Sequence, residues 1–108
     1  MKRGEIITVT VQGDYGKPRT ALVIQSNNFD KHPSITILPV TSKIVDAPLI
    51  RLTLEPSKKN GLVKQSQVMI DKATTIPREK AGQYIGNLEH KLMLEIDRCL
   101  AVFLGIAK

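Results

Sequence analysis

Two polar clusters stand where apolar strand patterns begin or end. Arg19 opens the run Thr20-Ala21-Leu22-Val23-Ile24, directly after a Gly/Pro turn, and Thr41-Ser42 close the run Ser34–Val40. If those two strands are neighbours, one guanidinium and two hydroxyls converge on one spot. Arginine offers a planar fork of donors and the hydroxyls add neutral ones, a set that suits a phosphate. A solvated arginine beside a hydroxyl-stabilised turn satisfies the same pattern. Periodicity does not decide between the two readings.

Other chemistry is thinly represented. His32 and His90 lie in a loop and on a charged helical face, without the H-E-x-x-H spacing of a zinc hydrolase. Neither a G-x-S-x-G elbow nor a glycine-rich phosphate loop is present. Cys99 falls on an apolar helical face with no histidine at helical spacing, so it reads as a small buried hydrophobe rather than a nucleophile. No metal and no cofactor are expected. Net charge is +6, which suits an anionic partner: nucleic acid, an acidic protein or a membrane surface. Aromatic residues are only 4% of the chain, too few for a base-stacking platform.

The elements that must position these groups are mostly strands. Glu5–Val11 alternates and is rich in β-branched residues. A turn over Gln12–Pro18 leads to the apolar run 20–24, which reads as a strand buried on both faces. Within Ser34–Val40, Pro39 lacks a ladder donor, which predicts an edge or a bulge near that strand's end. Ile50–Leu54 alternates, with Ile50, Leu52 and Leu54 inward. Pro56–Gly61 is a turn, Leu62–Ile70 and Ala73–Ile76 are two further strands, and Pro77–Gly82 is a charged loop.

The closing segment is helical: Leu92, Ile96, Cys99, Leu100 and Phe103 recur at three- and four-residue spacing. Asn87 is a candidate cap, the alternative being a start one turn later, and Gly105 is the stop. The chain of 108 residues reads as one domain spanning 1–108, mainly β with a C-terminal α-helix. A small SH3-like antiparallel barrel of about five to seven strands fits this order. No apolar run approaches membrane-spanning length and no signal-peptide core follows Met1-Lys2-Arg3, so a cytoplasmic location is expected.

Several segments resemble the MazF/PemK toxins of type II toxin-antitoxin systems, within the CcdB/PemK superfamily. Arg3-Gly4-Glu5-Ile6 is similar to their opening, and Gly16–Gln25 to their arginine-bearing strand. Pro39-Val40-Thr41-Ser42 matches their P-(V/I)-T-S element. Gly61-Leu62 through Gln67-Val68, and Ile85-Gly86-Asn87-Leu88 with the later Leu104-Gly105, resemble their last segments. The five occur in the family's order over nearly the whole chain.

The resemblance implies a CcdB/MazF-like fold, a homodimer, and a metal-independent endoribonuclease that inhibits translation by cutting single-stranded mRNA. In that chemistry the substrate's 2′-hydroxyl attacks the adjacent phosphate, giving 2′,3′-cyclic phosphate and 5′-hydroxyl ends. Arg19 and Thr41 match the family's catalytic arginine and threonine. Ser42, Lys17, Lys43, Lys64, Ser66 and Gln67 are carried as substrate-binding residues. A cognate acidic antitoxin of the MazE/PemI kind is the implied partner.

Three departures stand out, one of them a shorter loop before the arginine-bearing strand that contains Asp14 and Lys17. Proline precedes the arginine here, at Pro18, instead of following it, and Lys64 and Ser66 stand where some members carry an arginine and an aspartate as acid and base. That leaves the base unassigned, with Asp14 and a water held by Thr41 as candidates. The alternative function is that of a CcdB-like toxin that binds DNA gyrase without catalysis. The Gly105-Ile106 ending without any tryptophan matches that family weakly.

Overall fold

The computed structural model describes residues 1–10 and 17–107. Val11, residues 12–16 of the expected turn with Asp14, and Lys108 lie outside the described residues.

Among the described residues, seven strands and one α-helix follow in the order β1 (Glu5–Thr10), β2 (Pro18–Val23), β3 (Ser34–Thr41), β4 (Arg51–Leu54), β5 (Ser66–Met69), β6 (Thr74–Pro77), β7 (Ala81–Asn87) and α1 (His90–Phe103). They form one antiparallel sheet in the order β4-β5-β3-β2-β1-β7, with β6 paired to β3 off that path. The barrel expectation is met as a folded-over sheet that does not close.

Two buried clusters explain the alternation of the strands. Ile6, Leu22, Leu38 and Val68 join Met93 and Ile96 of α1 in one cluster. Ile7, Val9, Ala21, Val23, Ile35 and Ile37 form the other, with Ile76 of β6. Successive side chains of a strand point to opposite faces, so β1, β2 and β3 feed both clusters. The consecutive strands β6 and β7 join β3 and β1, which flank β2 on opposite sides. The sheet thus folds back around the second cluster.

Pro39 is neither on an edge strand nor at a bulge. Along one side, β3 pairs with β6 over Ser34–Ile37 and with β5 at Val40 and Thr41. Leu38 and Pro39 fall between these partners, where no ladder donor is required.

Three further expectations are corrected. The strand expected over 62–70 contracts to Ser66–Met69, followed by a 3-10 turn over Ile70–Lys72. The expected charged loop 77–82 conceals the start of β7, whose exposed Gly82-Gln83-Tyr84 carry no apolar alternation. That strand is specified by backbone pairing with β1 rather than by burial. Asn87 ends β7 instead of capping the helix, which begins at His90 after Glu89, nearer the later of the two expected starts.

At its other end, α1 closes on Gly105, with a φ of +76°. Ile106 N–H donates to Ala101 O at 2.8 Å and Gly105 N–H to Val102 O at 3.1 Å, the paired bonds of a Schellman stop. Cys99 packs partly buried against the first cluster. Phe103, expected on the apolar face, is about half exposed at 48%.

Candidate functional site

Strands β2 and β3 are direct neighbours, paired from Thr20–Val40 to Val23–Ile37. Continuing this register by one step sets Arg19 opposite Thr41. Both line a cleft of about 290 Å³, together with Pro18, Thr20, Val40, Ser42, Leu62, Val63, Lys64 and Ser66. The convergence of a guanidinium with hydroxyls therefore follows from strand pairing. Arg19 is exposed and Thr41 half-buried.

Local structure tunes the hydroxyls. Thr41 Oγ1 accepts a bond from Lys43 N–H at 3.1 Å, which turns the chain sharply at the end of β3. The hydroxyl-stabilised turn is therefore present, and Thr41 and Ser42 line the cleft beside Arg19. Ser66 is buried, and its Oγ donates to Lys64 O at 2.9 Å, tightening the wall that carries Lys64. Among the described residues, the lining holds two cations, Arg19 and Lys64, and no carboxylate or imidazole.

The opposite wall, Leu62–Lys64, is placed by an unusually close backbone approach. Gly61 has a φ of +70°, and a Cβ there would overlap the Ile85 carbonyl. A Cβ on Gly86 would overlap the Asn60 carbonyl. Asn60, itself buried, accepts at Oδ1 from Ser57 N–H and Leu62 N–H and donates from Nδ2 to Glu55 O. This knits the turn against β7 and fixes where the next three residues project.

Of the residues expected at the site, Arg19, Thr41, Ser42, Lys64 and Ser66 line the cleft. Lys17 and Lys43 are exposed and adjoin lining residues in the chain without lining the cleft themselves. Gln67 is a correction. It is buried, and its amide is committed to Val45 and Thr53, so it has no surface to offer a substrate.

Leu62 and Val63 are lining residues that sequence reasoning missed. Assigned to a strand, their apolar side chains looked unremarkable. Val63 is 90% exposed at the cleft.

Among the described residues, no group of three or more His, Cys, Asp or Glu could hold a metal ion. Arg98, its pKa raised above the ordinary arginine value by its hydrogen bond and charge interaction with Glu95, lies on the exposed side of α1 and outside the cleft lining.

Comparison with known proteins identifies the family. Residues 2–104 match the family described as PemK-like, MazF-like toxin of type II toxin-antitoxin system. The chain is 46% identical over 108 residues to a probable endoribonuclease MazF of Mycolicibacterium smegmatis, covering 99% of each protein. It is 25% identical over 113 residues to endoribonuclease EndoA of Bacillus subtilis, covering 98% of this chain and 96% of that one.

The fold is shared with a mycobacterial endoribonuclease solved in complex with its cognate antitoxin. The TM-score is 0.84 at 21% identity, covering 100% of this chain and 98% of that one. It is also shared with MazF in a MazE–MazF structure from Deinococcus radiodurans, with a TM-score of 0.78 at 21% identity and coverage of 97% and 95%. With the family matched along almost its whole length, the chain belongs to the PemK-like, MazF-like toxins of type II toxin-antitoxin systems.

Proposed function

We propose that this chain is an endoribonuclease toxin that cuts single-stranded RNA in the Arg19–Thr41 cleft, without a metal. The observation that carries the reading is the cleft itself: Arg19, Thr41, Ser42 and Lys64 converge in it, two cations beside two hydroxyls. Such a surface attracts a phosphodiester through its positive charge and its hydrogen-bond donors.

In the reaction, the 2′-oxygen forms a bond to the adjacent phosphorus as the bond from phosphorus to the 5′-oxygen breaks. The 2′-proton passes to a base, either Asp14 or a water held by Thr41, and the leaving 5′-oxygen takes up a proton. The products are a 2′,3′-cyclic phosphate and a 5′-hydroxyl. Arg19 offsets the charge that builds on the phosphoryl oxygens, while Thr41 orients the group. Because the substrate supplies its own nucleophile, the chain needs none of the hydrolase motifs it lacks.

A cognate acidic antitoxin belongs to the same reading, since the relative solved with its antitoxin shares this fold throughout. An acidic segment lying in the cleft would displace RNA by neutralising the same cations. Pairing of two copies is supported by apolar side chains left exposed on and after α1, among them Leu94, Phe103 and Ile106. We take residues 1–108 to act as one toxin domain. No helix among the described residues is long and apolar enough to cross a membrane, and the location proposed is cytoplasmic.

Gyrase binding is not favoured: the curated relatives are named endoribonucleases and the chain has no tryptophan. The test is incubation of purified protein with a long single-stranded RNA in EDTA, beside a gyrase pull-down. Defined cuts in EDTA are expected. Intact RNA with gyrase retained would reverse the assignment.

A further inference from the structure

We infer that Gln67 is a positioning residue, holding the loop after Thr41 in the shape the cleft requires. The inference rests on the endoribonuclease reading and deepens it.

The loop leaving β3 has little else to hold it. Ile44 and Val45 are exposed at 45% and 38%, and Leu49 at 74%, so apolar burial does not fasten it to the sheet. At its start, Thr41 Oγ1 holds Lys43 N–H. Two residues on, Gln67 Oε1 accepts from Val45 N–H at 3.1 Å, and Gln67 Nε2 donates to Val45 O at 3.0 Å. A side-chain amide has the shape of a peptide group, and here it bonds Val45 as a neighbouring strand would. The second Nε2 hydrogen goes to Thr53 Oγ1 on β4 at 3.1 Å, which fixes the amide's orientation.

Gln67 is also anchored in the sheet through its own backbone. It pairs with Thr41 on one side and Thr53 on the other, and at 3% exposure it is sealed from solvent. Ser42 and Lys43 are thereby suspended between two fixed points, Thr41 and the amide of Gln67. Reacting groups must be held to a fraction of an ångström, so a loop released at one end lowers turnover more than it lowers affinity. The charges that attract RNA, Arg19 and Lys64, do not depend on this clamp.

The test compares Gln67→Met, which keeps the side chain's length and removes all three bonds, with Thr53→Val and Thr53→Ser. Two quantities are read: amide hydrogen exchange over residues 43–45, and kcat and KM per folded molecule well below Tm. The clamp predicts faster exchange at Val45 and a fall in kcat of roughly ten- to a hundredfold in Gln67→Met. KM should stay within about threefold, because the phosphate-attracting charges remain. Thr53→Val, at an exposed position, should show the same pattern in weaker form, and Thr53→Ser, which keeps the acceptor, should match the unaltered protein.

Unchanged exchange at Val45, or unchanged kcat despite faster exchange, would overturn the inference. If Gln67→Met does not fold, the split between Thr53→Val and Thr53→Ser decides the matter, and equal behaviour of those two would overturn it. An unaltered chain that cuts no RNA would overturn the endoribonuclease reading and the catalytic half of this inference with it. Faster exchange in Gln67→Met would still establish the clamp itself.

Discussion

Arg19 and Thr41 stand opposite each other where the β2–β3 ladder ends, one step past the Thr20–Val40 pair. The pairing that brings them together is the same pairing that buries Leu22 against Leu38 in the helix-covered cluster. A slip of one residue would turn those leucines to the other face and separate the guanidinium from the hydroxyl at once. Site geometry and core packing are in this respect a single constraint.

Removing either group should leave the fold and abolish most of the activity. Arg19→Ala and Thr41→Ala are each expected to cost roughly 3–4 kcal/mol of transition-state stabilisation, by analogy with other donors to a developing oxyanion. Neither side chain is in a buried cluster, so Tm should move by no more than about 4 °C. Initial rates on a fluorogenic RNA, with thermal melts of the same samples, check both halves.

Binding should weaken with salt in a measurable way. With about three phosphates contacted, log affinity for single-stranded RNA should fall against log salt with a slope near −2, and Lys64→Ala should make it shallower by roughly 0.7. A slope near zero, measured by fluorescence anisotropy on an RNA blocked against cleavage, would contradict a cationic cleft.

The glycine at 86 should be irreplaceable for steric reasons. Gly86→Ala drives a Cβ into the Asn60 carbonyl, and overpacking against backbone costs about 2 kcal/mol or more, lowering Tm by roughly 10 °C. Gly105→Ala is the control: its added Cβ meets nothing, leaving only the left-handed backbone cost of about 1–2 kcal/mol. Differential scanning calorimetry separates the two, and equal effects would mean that the Gly86 contact is not tight.

Antitoxin and RNA should compete. An acidic peptide from the cognate partner is expected to raise the apparent KM for RNA without changing kcat at saturation. A ternary complex that still cuts at full rate would contradict a shared surface.

How much of this was legible in the sequence varies by element. Strands β1 to β3 were visible because β-branched and apolar residues mark them in the chain itself. The site's central pair was visible as residue types but not as a pair, since only the register joins Arg19 to Thr41. Strand β7 was hidden because Gly82, Gln83 and Tyr84 are exposed and its order comes from β1.

Gln67 was placed on the wrong side of the argument. A glutamine in an alternating strand looks solvent-facing, and only tertiary contact with Val45 turns it into a buried clamp. Val63 was missed for a related reason, because an apolar residue in a supposed strand gives no sign that it is 90% exposed beside the cleft.

The most direct test of the central claim is analysis of the product ends after cleavage in EDTA, on an RNA and on the same RNA carrying 2′-deoxyribose at the cut site. Attack by the substrate's own 2′-hydroxyl predicts 2′,3′-cyclic phosphate and 5′-hydroxyl ends from the first and no cleavage at that site in the second. Both Arg19→Ala and Thr41→Ala should be nearly inactive on the unmodified RNA. Cleavage of the deoxy-substituted site, or 5′-phosphate ends, would contradict attack by the substrate's own hydroxyl in the Arg19–Thr41 cleft.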